Sequence, residues 1–184
     1  QILPLNSNTN LGHIALGDDS SNIFEKQLKI YGKIRPIKKS NITDILNTTN
    51  DLDTIIVSFH RSNSTPYKAY NFSKKEISMI SKLSEKKTVI LDIFVKPYAL
   101  LDIDHLKDID AILVSYQNSY LSQQLSADAI FGAQSITGNL PVYISKSYPE
   151  GSGIQLSKLN RIGYALPEHL GFDPGFNKKI QQIS

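Results

Sequence analysis

Short apolar runs and amphipathic stretches alternate along this chain. Gly12–Gly17 (GHIALG), Asp53–Phe59 (DTIIVSF), Lys87–Phe94 (KTVILDIF) and Ala111–Tyr116 (AILVSY) have the length and composition of buried strands. Ile34–Ile37 is a shorter one, and Pro36 confines it to an edge, because proline cannot donate to a ladder. Between them lie helical periods. Ser20–Tyr31 carries Phe24, Leu28 and Tyr31 on one face, with Gly32 as a stop. Asn41–Leu46 reads as a short helix. Ser73-Lys74-Lys75-Glu76 is a capping box flanked by a Phe72/Ile77 staple, and it opens a helix with Ile77, Ile80 and Leu83 as the buried stripe and Met79 beside it. Pro97–Ile103 and His105–Asp110 predict short helical or turn pieces. Asn118 or Ser119 caps a last helix, with apolar Leu121, Leu125 and Ala129 at i, i+4 and i+8 and Gly132 at its C-cap. Pro141 pushes Leu140 out of the helical region, and Val142–Ile144 offers a final strand, with antiparallel pairing open to it.

Strands alternating with helices predict a mostly parallel sheet covered on both faces. The expected fold is a three-layer α/β sandwich with five or six strands. A chain of 184 residues suffices for one such domain with its own core.

Composition narrows the function classes. The net charge of +3 comes from scattered lysines, with no basic stripe interleaved with aromatics, so no nucleic-acid partner is expected. No apolar run reaches the roughly 18 residues of a membrane span. Cysteine is absent, which removes disulfides, thiolate metal sites and cysteine nucleophiles. The four histidines have no paired spacing, so no metal is expected, and no cofactor either. Asn-x-Ser/Thr triplets begin at Asn41, Asn47, Asn63 and Asn71, as chance allows in an Asn- and Ser-rich chain. The start at Gln1, without a leader, reads as a piece of a longer polypeptide.

Three ordered phrases carry more than composition. Ser115-Tyr116-Gln117 ends a strand. Ala127-Asp128-Ala129-Ile130-Phe131-Gly132-Ala133 closes a helix. Ser135-Ile136-Thr137-Gly138-Asn139-Leu140-Pro141-Val142 follows as a loop. Together they resemble the C-terminal α/β domain of glycoside hydrolase family 3, and Ile2-Leu3-Pro4-Leu5 resembles the phrase leading into that domain. The resemblance implies residues 1–10 as a linker from an N-terminal barrel, 11–156 as the α/β domain, and 157–184 as a linker and the start of a following domain. Pro167-Glu168-His169-Leu170-Gly171-Phe172-Asp173, followed by a helical stretch from Phe176 to Ile183, resembles the opening of serine β-lactamase-like domains. The implied partners are the barrel, that further domain, and carbohydrate reached through the barrel. The implied location is the bacterial periplasm or cell envelope.

The resemblance also implies a division of labour. The nucleophilic aspartate of a retaining mechanism belongs to the barrel. In the glucosidase-like branch the acid/base is a glutamate on a loop of the α/β domain. The loop after Phe59, His60 to Asn71, contains neither Asp nor Glu, which favours the β-N-acetylhexosaminidase-like branch, whose acid/base lies on the barrel. A module that supplied its own acid/base would use Glu150, since the capping box occupies Glu76. The expectation is a non-catalytic module of a β-N-acetylglucosaminidase.

Site candidates follow from position. His60 and Arg61 end a parallel strand, where open α/β sheets place ligands; the blander reading is a solvated surface pair. Tyr67 and Tyr70 could stack on a sugar face, and Tyr116 and Gln117 could line a domain interface. His13 reads as a satisfied core or interface histidine, and His105 and His169 as surface or turn residues. Asp18-Asp19 and Asp92 read as caps, turns and a solvent-facing strand position; their other reading is a hydroxyl, ribose or metal site. Gly151-Ser152-Gly153 lacks the context of a phosphate cradle or a nucleophile elbow. A flavodoxin-like module binding a small ligand or a partner is the rival from another functional class.

Overall fold

The structure is a computed structural model that describes residues 2–6, 9–17, 23–38, 40–62, 70–160, 170–173, 175, 179 and 182. Five strands form one all-parallel sheet: β1 (Leu11–Gly17), β2 (Ile34–Pro36), β3 (Thr54–His60), β4 (Thr88–Phe94) and β5 (Ala111–Val114), in the order β2-β1-β3-β4-β5. The helices between and after them are α1 (Ile23–Tyr31), α2 (Ile42–Thr48), α3 (Lys74–Ser84), α4 (Leu100–Ile103, entered through a 3₁₀ turn at Pro97–Ala99) and α5 (Tyr120–Ile130). This is the expected three-layer α/β sandwich, doubly wound, with its reversal of strand order between β1 and β3.

One face of the sheet packs on α2, α3 and α4. Ile14, Leu16, Ile55, Val57, Phe59, Val89, Leu91 and Ile93 meet Ile45, Ile80, Leu83, Leu100 and Ile103 in one apolar cluster. The other face packs on α1 and α5, where Leu11, Ile56, Ile90 and Phe94 meet Phe24, Leu28, Ala127 and Ile130. Leu3 and Leu5 join this second cluster, and the Leu5 N–H donates to the Ile130 carbonyl at 2.8 Å.

The local signals act as chemistry requires. The Ser73 side chain accepts from the Glu76 N–H, and the Glu76 carboxylate accepts from the Ser73 N–H at 2.8 Å, completing the capping box of α3. Asn41 caps α2 and Ser119 caps α5. Gly132, at φ +72°, stops α5. Gly17, at φ +97°, ends β1 so close to β3 that a Cβ there would lie 1.8 Å from the His60 carbonyl oxygen; only glycine fits.

Two expectations fail. Val142–Ile144 adds no strand: the Ile144 N–H bonds the Tyr148 carbonyl at 3.0 Å, and Leu140 exchanges bonds with Ser152 and Gly151. The segment satisfies its backbone in local turns, and its contact with extended pairing is one antiparallel bridge, Ile136 to Leu156. The second failure concerns α5. Leu121 and Leu125 are 47% and 41% exposed, while Gln123, Ser126 and Asp128 face inward beside Ala127, Ala129 and Ile130. The helix is turned with much of its polar side to the sheet, because that part of the sheet is itself polar.

Candidate functional site

The polar half of the α1/α5 face has a simple origin. Side chains alternate along a strand, so His13 on β1, Ser58 and His60 on β3 and Asp92 on β4 share one face. Parallel register sets Ser58 beside Asp92 and Ala15. All four polar residues are buried, three of them at 0% exposure. Burial of such groups is tolerable only with partners.

Those partners form a continuous chain. Glu25 Oε2 on α1 lies 2.9 Å from His13 Nδ1, and His13 Nε2 lies 2.8 Å from Ser58 Oγ. The same hydroxyl lies 2.8 Å from His60 Nε2, and His60 Nδ1 lies 2.8 Å from Asn118 Oδ1. Gln123 Nε2 donates to that Asn118 oxygen at 2.8 Å, and Gln123 Oε1 accepts the Phe24 N–H at 3.1 Å. Aromatic rings seal the chain: His60 stacks on Phe94 at 4.6 Å, and Phe24 meets His13, His60 and Phe94 edge-on. The hydrogen bond to His13 holds the Glu25 carboxyl down at about 2, against its partial burial, with Lys29 assisting.

Asp92 lies beside this chain. Ser115 Oγ donates to Oδ1 at 2.8 Å and Ser126 Oγ donates to Oδ2. Burial nevertheless pushes its carboxyl up to about 7, with the two hydroxyls and the Ile93 N–H opposing. Farther along α5, Asp128 accepts from Gln27 Nε2 at 2.7 Å and Tyr31 OH at 2.8 Å; burial raises it as well. Asp92 is therefore not the solvent-facing strand position that the sequence suggests. The alternation was right, but both faces of β4 are covered.

Glu25–His13–Ser58 has the connectivity of a nucleophile, base and orienter. It lacks access. Ser58 is fully buried under aromatic rings, so no substrate carbonyl reaches Oγ. An open depression of about 780 Å³ lies at the opposite edge of the sheet, against Lys87, Lys107 and Asp110. No group of three or more His, Asp or Glu among the described residues could hold a metal ion.

At the C-terminal edge of the sheet, His60 is inside the protein and is not half of a solvated surface pair. Arg61 lies at the surface of the fold. Its guanidinium donates to Glu76 Oε2 at 3.0 Å and covers the Phe59 ring at 4.8 Å. Glu76 also accepts the Gly17 N–H at 3.0 Å. Burial pushes the Glu76 carboxyl up, but the Ser73 N–H and hydroxyl, Arg61 and Gly17 outweigh it and hold the carboxyl below its ordinary value. The β1–β3 reversal is thus closed by Gly17, His60 and Glu76. Tyr116 and Gln117 are exposed beyond β5. Tyr116 has φ +60°, and the Gln117 N–H reaches back to the Ser115 carbonyl at 2.6 Å, a tight three-residue turn of the strained kind. His105 is exposed in a turn, and so is Glu150. Tyr67, the Asp18-Asp19 pair, Asn63, His169 and most of the tail from 161 onward, including most of the helical stretch after Phe176, lie outside the described residues.

The sequence reading missed Ser58, Glu25, Gln123, Ser115 and Ser126 as site members. A signal existed: Ser58 and His60, two apart, interrupt the apolar run of β3 on one face.

No family model matches the chain, and no curated protein matches it. Among solved structures it is similar to a β-glucosidase from Paenibacillus barengoltzii, with TM-score 0.58 and 13% identity, over 78% of this chain and 22% of that one. It is also similar to a β-glucoside phosphorylase, with TM-score 0.52 and 13% identity, over 71% of this chain and 25% of that one. The chain spans no more than 25% of the length of either enzyme. At such identity the likeness is one of fold: a sandwich of this kind is found within both.

Proposed function

We propose that this chain is an accessory α/β module of a glycoside hydrolase related to family 3, packed against a catalytic barrel that carries the nucleophile. The observation behind this reading is the fold likeness itself, which covers most of this chain and a minor part of two β-glycoside-processing enzymes. The phrases Ser115-Tyr116-Gln117, Phe131-Gly132 and Gly138-Asn139-Leu140-Pro141 point the same way. The chemistry available in the chain agrees. A glycosidic acid/base needs an accessible carboxyl near the sugar. Among the described carboxylates near the C-terminal edge of the sheet, Glu76 is committed to Ser73, Gly17 and Arg61, and Asp92 is sealed inside. The barrel contributes the reacting groups, and Tyr116 and Gln117 are the exposed strand-end residues placed to meet it or its substrate.

Two substrate readings follow. The loop after β3 has no carboxylate, which supports an N-acetyl-β-glucosaminide and an acid/base on the barrel. The names of the two similar enzymes support a β-glucoside. The 184-residue chain alone is expected to turn over neither 4-nitrophenyl N-acetyl-β-glucosaminide nor 4-nitrophenyl β-glucoside. Turnover of either, or tight binding of a nucleotide in a calorimetric titration, overturns the accessory reading. With the barrel present in the same polypeptide, the ratio of kcat/KM for the two substrates decides between them.

A further inference from the structure

The hydrogen-bond chain under α1 and α5 can be read for its protons, because one end is fixed by a group that cannot reverse. The Phe24 backbone N–H only donates, so the Gln123 atom facing it at 3.1 Å is Oε1. The other end of that amide, Nε2, then donates to Asn118 at 2.8 Å, so the Asn118 atom there is Oδ1. An oxygen faces His60 Nδ1 at 2.8 Å, and His60 Nδ1 therefore bears a hydrogen. At the far end the acceptor is the Glu25 carboxylate, so His13 Nδ1 bears a hydrogen too. Both rings have used the single N–H of a neutral imidazole. Both remaining Nε2 atoms point at Ser58 Oγ, each at 2.8 Å. A hydroxyl has one hydrogen and donates to one of them. The other Nε2 must itself carry a hydrogen, or two lone pairs would face each other at hydrogen-bond distance in a dry interior.

We propose that His13 and His60 share one excess proton through the Ser58 hydroxyl, forming a buried single-proton relay that runs from Glu25 on α1 to Asn118 beyond β5. In the resting arrangement His13 is the imidazolium, paired with Glu25, and Ser58 donates to His60. In the alternative, the N–H bond at His13 Nε2 breaks as an O–H bond forms at Ser58. The former Ser58 O–H bond breaks as an N–H bond forms at His60 Nε2. Charge and atom count are conserved, and the cation has moved to the Asn118 end. A second excess proton would put two cations on either side of one oxygen.

Among the described residues, the charges packed against these two rings favour the His13 end. Glu25 faces it from α1, with Lys29 on the far side of that carboxylate at 2.7 Å. From β4, Asp92 lies next to Ser58, its oxygens held by Ser115 and by Ser126 of α5. Asp128 on α5 is turned to Gln27 and Tyr31 instead. The Asn118 end adjoins Tyr116 and Gln117, so the relay leads toward the exposed strand-end residues.

The test is long-range ¹H–¹⁵N correlation spectroscopy of the ¹⁵N-labelled 184-residue chain at pH 7. The expected spectrum has both Nδ1 atoms protonated and one imidazolium's worth of Nε2 protonation divided between His13 and His60. In Glu25→Gln, altered at a partly exposed position, that protonation moves from His13 toward His60. In Ser58→Ala the Nε2 protonation is no longer divided between the two rings. Two neutral rings in the wild-type chain, or a His60 with bare Nδ1, overturn the proposal. The wild-type spectrum decides even if Ser58→Ala does not fold.

Discussion

The two faces of this sheet are built on opposite principles. Against α2, α3 and α4 the strands β1, β3, β4 and β5 present only carbon, and Phe59 stacks on Phe72 with ring centres 3.7 Å apart. Against α1 and α5 the same strands present His13, Ser58, His60 and Asp92 among Leu11, Ile56 and Phe94. The first face is held by area removed from water, which is additive and forgiving of geometry. The second is held by donor–acceptor matching, in which each group depends on its neighbour.

The largest expected effect lies on the carbon face. Phe59→Ala should cost about 3–5 kcal/mol in denaturant unfolding, the ordinary range for a buried phenylalanine. A cost under about 1 kcal/mol would mean that face collapses freely and the contrast is false. The next effect is a pH dependence confined to the polar face. Asp92 in the folded chain keeps its proton up to about 7, while the unfolded carboxyl releases it near the ordinary value of 3.8. Between these limits unfolding releases a proton, so stability falls as pH rises, by about 1.4 kcal/mol per unit at the steepest. Below the window both states are protonated, and above it both are ionised. Asp92→Asn should flatten the fall between pH 4 and 7, as followed by the urea midpoint. Glu25 acts oppositely: its contribution is present above the unfolded value of 4.5 and is lost as pH falls toward about 2. The smallest effect sharpens the comparison most. Leu121→Gln and Leu125→Gln should each change stability by no more than about 0.5 kcal/mol, because both side chains point away from the sheet. A loss near 2 kcal/mol in thermal unfolding would restore them to the core.

The carbon face was legible in the sequence and the polar face was not, for one reason. Periodicity reads burial from hydrophobicity. It finds β3, β4 and the Ile77–Leu83 stripe because their burial is apolar. It misplaces α5, where Leu121 and Leu125 mark the outside and Gln123, Ser126 and Asp128 the inside. It also takes Asp92 for a solvent-facing residue, since a carboxylate in a strand ordinarily faces water. The clue that would have corrected both is joint: α5 is inward-polar because β3 and β4 are, and no single segment displays that. The candidates at strand ends divide in the same way. Tyr116 and Gln117 stand in the open as position implies, while His60 is drawn inside by Ser58 and Asn118.

Mutual dependence on the polar face has a consequence for descent. His13, Ser58, His60, Asn118 and Gln123 come from β1, β3, the turn before α5 and α5 itself, and exchanging one strands a lone pair or a hydrogen on the next. Such positions drift only in company. Among homologous chains these five should be inherited as a block or replaced as a block, while the aliphatic residues across the sheet trade places one by one.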